Sequence, residues 1–115
     1  PMIERDGYDV TIHVPITFSQ AVLGDDVEVP TVDGRIVQHI PEGTQSGTKF
    51  RLRGQGIQYL NGRGRGDQYV IVDVEIPKKV TRAQREALKA FEDSMKEDNY
   101  EKRKGFFKNL RDRFS

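Results

Sequence analysis

Residues 40–76 read IPEGTQSGTKFRLRGQGIQYLNGRGRGDQYVIVDVEI. Two apolar alternations lie in this stretch, separated by a loop with glycines at Gly54, Gly56, Gly62, Gly64 and Gly66. Phe50 and Leu52 alternate with Lys49, Arg51 and Arg53, a period of two that places the apolar pair on one face of a strand. Val70, Val72, Val74 and Ile76 alternate with Tyr69, Ile71, Asp73 and Glu75. The opposite face of this second strand is apolar in its first half, so it is expected to be central and covered on both sides.

Working back toward the start, the polar residues 4–9 (ERDGYD) read as a turn before a first strand in which Val10, Ile12 and Val14 alternate with Thr11 and His13. Pro15 ends that strand or places it at an edge. Thr17 and Gln20 have capping-box spacing and Gly24 sits where a helix stops, giving a short helix over 17–23 with Phe18, Ala21 and Val22 on its apolar face. Val27 and Val29 open a strand that stops at Pro30. Asp33-Gly34 is a strong hairpin signal, with both central turn positions expected at positive φ. Ile36, Gln38 and Ile40 share one face of the return strand.

Beyond Pro77 the period changes to that of a helix. Thr81 and Gln84 repeat the capping-box spacing, and Gln84, Ala87, Leu88, Phe91 and Met95 form an amphipathic stripe over about 82–97. Residues 96–104 read as a charged connector, and Gly105 introduces a shorter helix, FFKNLRDRF. The fold expected is mainly β: a small antiparallel β-sandwich or open barrel with one short inserted helix, followed by two C-terminal helices. Its parts are a β domain at 1–77, a helix docked on it at 78–98, and a connector and terminal helix at 99–115.

At 115 residues, 35% hydrophobic and 32% charged, the chain can bury one modest core but no deep enzyme cavity. The net charge of +1 conceals a split. Residues 1–77 carry 7 Lys and Arg against 11 Asp and Glu, and residues 78–115 carry 12 against 7. The absence of cysteine excludes disulfides and thiolate metal sites within this chain and is compatible with a cytoplasmic location. The opening Pro1-Met2 suggests a piece of something longer, and neither a membrane span nor a signal peptide is indicated.

The glycine-rich loop has neither GxxxxGK[ST] nor a GxGxxG opening a helix, and a strand follows it, so it is expected to be a connection and not a phosphate cradle. His13 and His39 have no metal-site spacing, and Ser19, Ser46, Ser94 and Ser115 lie in no nucleophile-elbow context. The expectation is a protein that is not an enzyme and needs no cofactor or metal. Arg51, Arg53, Arg63 and Arg65, with the basic tail, support an alternative reading as a nucleic-acid-binding β module. The acidic balance of residues 1–77 and the few nearby aromatics, Tyr59 and Tyr69, oppose it.

Phe106, Phe107, Leu110 and Phe114 need a surface to rest on, because an isolated helix of about ten residues is marginal in water. Either they fold back on their own domain or they meet a second chain. Burying four such side chains yields on the order of 6–12 kcal/mol, against an association cost of ~4–15 kcal/mol, which suits a dimer of modest affinity.

VPTVDGRIVQHIPEGTQSGTKFRLRGQGI followed by GRGDQYVIVDVEIP resembles the second C-terminal β domain of DnaJ-type (J-domain) co-chaperones. ERDGYDV resembles the join between the first such domain and the second, ITFSQAVLGDDVEVPT the short helix after the first strand, and FFKNLRDRF the terminal dimerisation helix. The resemblance spans nearly the whole chain. It implies a non-enzymatic module that helps bind unfolded polypeptide and forms a homodimer through Phe106, Phe107, Leu110 and Phe114. The intact protein would pass clients to an ATP-dependent heat-shock chaperone of the seventy-kilodalton class. The family's His-Pro-Asp tripeptide, Gly/Phe-rich linker and cysteine repeat are not in this sequence, so no ATPase stimulation and no structural zinc are implied. Analogy with the preceding β domain of the family implies a shallow client groove using Val10, Val27 and Val29. Where that pattern implies further apolar residues, this chain has Pro30 and Thr31.

Overall fold

The computed structural model describes residues 3–114. Pro1, Met2 and Ser115, on which the reading above touched, lie outside them. The chain divides into two compact units, 1–76 and 77–115.

The first unit holds β1 (Ile3–Asp6), β2 (Asp9–Ile16), α1 (Phe18–Leu23), β3 (Asp25–Thr31), β4 (Gly34–Ile40), β5 (Lys49–Leu52) and β6 (Gln68–Val74). One sheet has the order β1-β2-β6-β5, and β3 and β4 form a second, two-stranded sheet. No barrel closes. The mainly β class is as expected, with one departure from an antiparallel sandwich: β2 and β6 run parallel, with Ile12 opposite Val70 and Val14 opposite Val72. Parallel neighbours need a long crossover, and here α1, the β3–β4 hairpin and β5 supply it. The remaining pairs are antiparallel.

Both sheets and α1 contribute to one core of Ile12, Ile16, Ala21, Val29, Ile40, Val70 and Val72. β6 is central, as the apolar residues on both its faces predict, with Val70 and Val72 buried between β2 and β5. Its other face is only half covered: Tyr69 and Ile71 are partly exposed, and the Lys49 ammonium stands 4.4 Å from the Tyr69 ring centre. The strand ends at Val74, two residues short of the alternation, and Ile76 is exposed.

Three local readings are corrected. Residues 4–9 are not simply a turn. Ile3–Asp6 form a strand paired antiparallel to β2, and Gly7, at φ 63°, takes the first loop position. That is where a two-residue hairpin with one positive φ requires glycine. The β3–β4 hairpin pairs Thr31 with Gly34, so its loop is Val32-Asp33, one residue earlier than expected, and neither has positive φ. Gly34, at φ 147°, absorbs the strain on entering β4. α1 forms with both bonds of its Thr17–Gln20 capping box, but only Ala21 of its apolar face is buried.

The second unit comprises α2 (Arg82–Ser94), a 3₁₀ turn (Glu97–Asn99) and α3 (Glu101–Phe114). The Thr81–Gln84 capping box is complete, the Gln84 amide donating to Thr81 Oγ1 at 3.2 Å and the Thr81 amide to Gln84 Oε1 at 2.7 Å. α2 stops at Ser94, and neither helix has a fully buried side chain. Gly105 does not open the last helix but lies inside it, so half of the expected connector is helical. Glu101, Lys102, Arg103 and Lys104 are strong helix formers, and one interior glycine costs only about 1 kcal/mol. Lys104 Nζ also reaches back to the Asp98 carboxylate, tying the first turn of α3 to the 3₁₀ turn.

Candidate functional site

The register of β1 on β2 builds the first candidate surface. Ile3 lies opposite Ile12 and Arg5 opposite Val10, which puts these four side chains on one face. The end of the β3–β4 hairpin adds Pro30, Thr31 and Val32, the glycine loop adds Ile57, and β6 adds Gln68. Together they line a groove of about 240 Å³. Gln68 is buried, and its Nε2 donates to the Pro30 carbonyl at 2.7 Å, so this polar floor is satisfied from within and fixes the hairpin end to the large sheet. β1 is the terminal strand of that sheet, so among the described residues one backbone edge of β1 beside the groove has no strand neighbour.

The structure separates the three valines named for a client groove. Val10 lines it, whereas Val29 is 1% exposed within the core and Val27 packs against that core. Pro30 and Thr31, the departures from the apolar pattern, are themselves in the wall. Sequence reasoning missed Ile3, Arg5, Ile12, Val32, Ile57 and Gln68 as lining residues. Asp6-Gly7 was the available signal for β1, a turn dipeptide between two alternating segments; no local signal brings Ile57 or Gln68 to it.

The glycine loop shapes one end of this surface by folding back as a hairpin on the β1–β2 turn. Ile57 donates to the Tyr8 carbonyl at 2.8 Å, Gly66 to the Ile57 carbonyl at 3.0 Å, and Gly56 to the Gly66 carbonyl at 2.9 Å. A Cβ on Gly56 would lie 2.5 Å from the Tyr8 carbonyl oxygen, and one on Gly66 closer still. These two glycines serve close backbone packing. Tyr8 and Tyr59 meet edge to face, ring centres 5.1 Å apart. Asp67 holds the base of the loop: its carboxylate accepts from the Gly54 amide at 2.9 Å and from Arg51 Nη2 at 2.6 Å. The Gly54 amide, followed by Arg51, holds the Asp67 carboxyl below its ordinary range, and Asp67 holds the Arg51 guanidinium above its own.

That pairing bears on the nucleic-acid alternative. Arg51 is engaged by Asp67 and Arg65 by Asp33, so two of the four arginines are neutralised locally and the alternative gains no support. Among the described residues no group of three or more His, Cys, Asp or Glu could hold a metal ion. Nor is any described helix long and apolar enough to cross a membrane.

The second candidate surface is the apolar face of α3. Phe106 (62%), Phe107 (41%), Leu110 (41%) and Phe114 (80%) are all exposed. The rings of Phe106 and Phe107 meet edge to face at 5.0 Å, and the Arg103 guanidinium lies 4.7 Å from the Phe107 ring centre. Phe107 also lines a cleft of about 670 Å³ within this unit, together with Met95, Tyr100 and Arg103.

The family described as DnaJ C terminal domain matches residues 1–77. The chain belongs to the DnaJ C-terminal domain family. A second family, described as the Chaperone protein DnaJ C-terminal region, matches residues 83–115. The chain is 51% identical over 114 residues to the Chaperone protein DnaJ of Ruminiclostridium cellulolyticum, covering 99% of this chain and 30% of that protein. It is 49% identical over 112 residues to that of Acetivibrio thermocellus (97% and 29%), and 49% over 114 residues to that of Clostridioides difficile (99% and 30%). The chain thus spans about 30% of the length of these DnaJ relatives.

Proposed function

We propose that this chain is the non-enzymatic, polypeptide-holding and self-pairing part of a DnaJ-type chaperone. The observation that carries the reading is the apolar groove beside the open edge of β1. An extended polypeptide can add its backbone to such an edge while alternate side chains enter the groove, which suits clients of many sequences. Kinship with proteins named Chaperone protein DnaJ supports the same reading. The exposed face of Phe106, Phe107, Leu110 and Phe114 is where a second copy would pair. Two grooves tethered in one dimer turn weak single contacts into useful avidity. Transfer of clients to an ATP-dependent heat-shock chaperone of the seventy-kilodalton class would use parts of the longer protein outside this chain.

The test removes the exposed walls of the groove without touching the core. Ile3 and Val32 are 57% and 51% exposed, so Ile3→Ser with Val32→Ser should leave the fold intact. Binding of a fluorescently labelled, permanently unfolded polypeptide should weaken by roughly tenfold, corresponding to about 1–2 kcal/mol of lost apolar contact. Unchanged affinity in a variant with native circular dichroism would refute the groove as the client site.

A further inference from the structure

Among the described residues that line the groove, Arg5 is the one that is charged. Its Nε–H donates to the Gly7 carbonyl at 2.7 Å, which ties the guanidinium to the β1–β2 turn. Neither terminal guanidinium nitrogen has a carboxylate partner among the described residues, unlike those of Arg51 and Arg65 on the same unit. A planar fork held at its inner nitrogen and open at its outer two is suited to a bidentate carboxylate. The unit around it is acidic, with 7 Lys and Arg against 11 Asp and Glu over residues 1–77, so any attraction for a carboxylate at this mouth is local to Arg5 and works against the charge of the unit as a whole.

The strand geometry supplies a spacing. Ile3 and Arg5 are two residues apart on β1 and face the same side, over Ile12 and Val10 respectively. A segment laid along this edge presents every second side chain to that side. We infer that the groove selects extended polypeptide segments carrying an apolar residue and, two positions away, an aspartate or glutamate that pairs with Arg5. This rests on the groove being the client site and adds what that site prefers. Arg5 then acts as a specificity-determining residue: the apolar contact supplies most of the affinity, and the carboxylate sets register and choice.

Three labelled peptides, otherwise identical and uncharged, test it on the full chain: one with Leu-Ser-Glu at its centre, one with Leu-Ser-Gln and one with Leu-Ser-Lys. The Glu peptide should bind about two- to fivefold more tightly than the Gln peptide, the range of an exposed ion pair, and the Lys peptide least well. Moving Glu next to Leu turns it to the opposite face and should abolish the gain. Arg5→Gln should erase the order of the three peptides, and Arg5→Glu should reverse it. Equal binding of all three by the native chain, or an order that survives Arg5→Gln, would overturn the role of Arg5 while leaving the groove in place. Binding that is indifferent to Ile3→Ser with Val32→Ser would overturn the groove itself, and this inference with it.

Discussion

The Asp67 carboxylate is held by the Gly54 amide and by Arg51 at the base of the glycine loop. Held below its ordinary range by the Gly54 amide and then Arg51, it stabilises the folded state above the usual carboxylate pKa of about 4, and that contribution is lost as pH falls through the lowered folded value. Denaturant titrations below about pH 4 should therefore show the native chain losing more stability than Asp67→Asn, whose profile is flatter over that window. Gly66 is constrained differently, since any Cβ there meets the Tyr8 backbone, which cannot move aside as a flexible side chain would. Gly66→Ala should cost about 1–3 kcal/mol in a urea midpoint measurement. Val29→Ser should cost about 3 kcal/mol, because it leaves both a cavity and a hydroxyl in the core. A binding defect in that variant would report unfolding and not a lost client contact.

Among the elements, the helices of the second unit are set by local chemistry. Thr81→Ala removes one arm of a complete capping box and should cost about 1 kcal/mol, visible as lower helix content by circular dichroism. Gly105 lies within α3 without positive φ, and a Cβ there meets nothing within 4 Å. Gly105→Ala should accordingly raise the helicity of α3, with a gain of up to about 1 kcal/mol. Should the same substitution weaken self-association, a second chain approaches this helix closely at Gly105.

For the molecule as a whole, self-pairing is the property to measure. Sedimentation equilibrium should show the full chain dimerising and a chain ending at Asn99 folded but monomeric. Affinity for a client long enough to reach two grooves should drop on the order of 10²-fold with that truncation, whereas affinity for a short peptide should not change. Two monomers would refute the α3 face as the pairing surface, and two dimers would move the interface to residues before Tyr100.

The sequence by itself determined the features that rest on period and capping, though it misplaced the β3–β4 turn and the start of α3. The apolar residues on both faces of the first half of β6 marked it as central, and the Thr17–Gln20 and Thr81–Gln84 pairs marked two helix starts. Those features are governed by period and by hydrogen bonds within a few residues. Only the tertiary structure decided that β2 and β6 run parallel, that Gln68 and Ile57 reach the groove, and that Val29 belongs to the core. Alternation says which residues share a face but not which strand lies beside them or in which direction. Val10 and Val29 therefore look alike in sequence and both end buried, and only the packing of two sheets puts Val10 beneath a groove and Val29 inside the core.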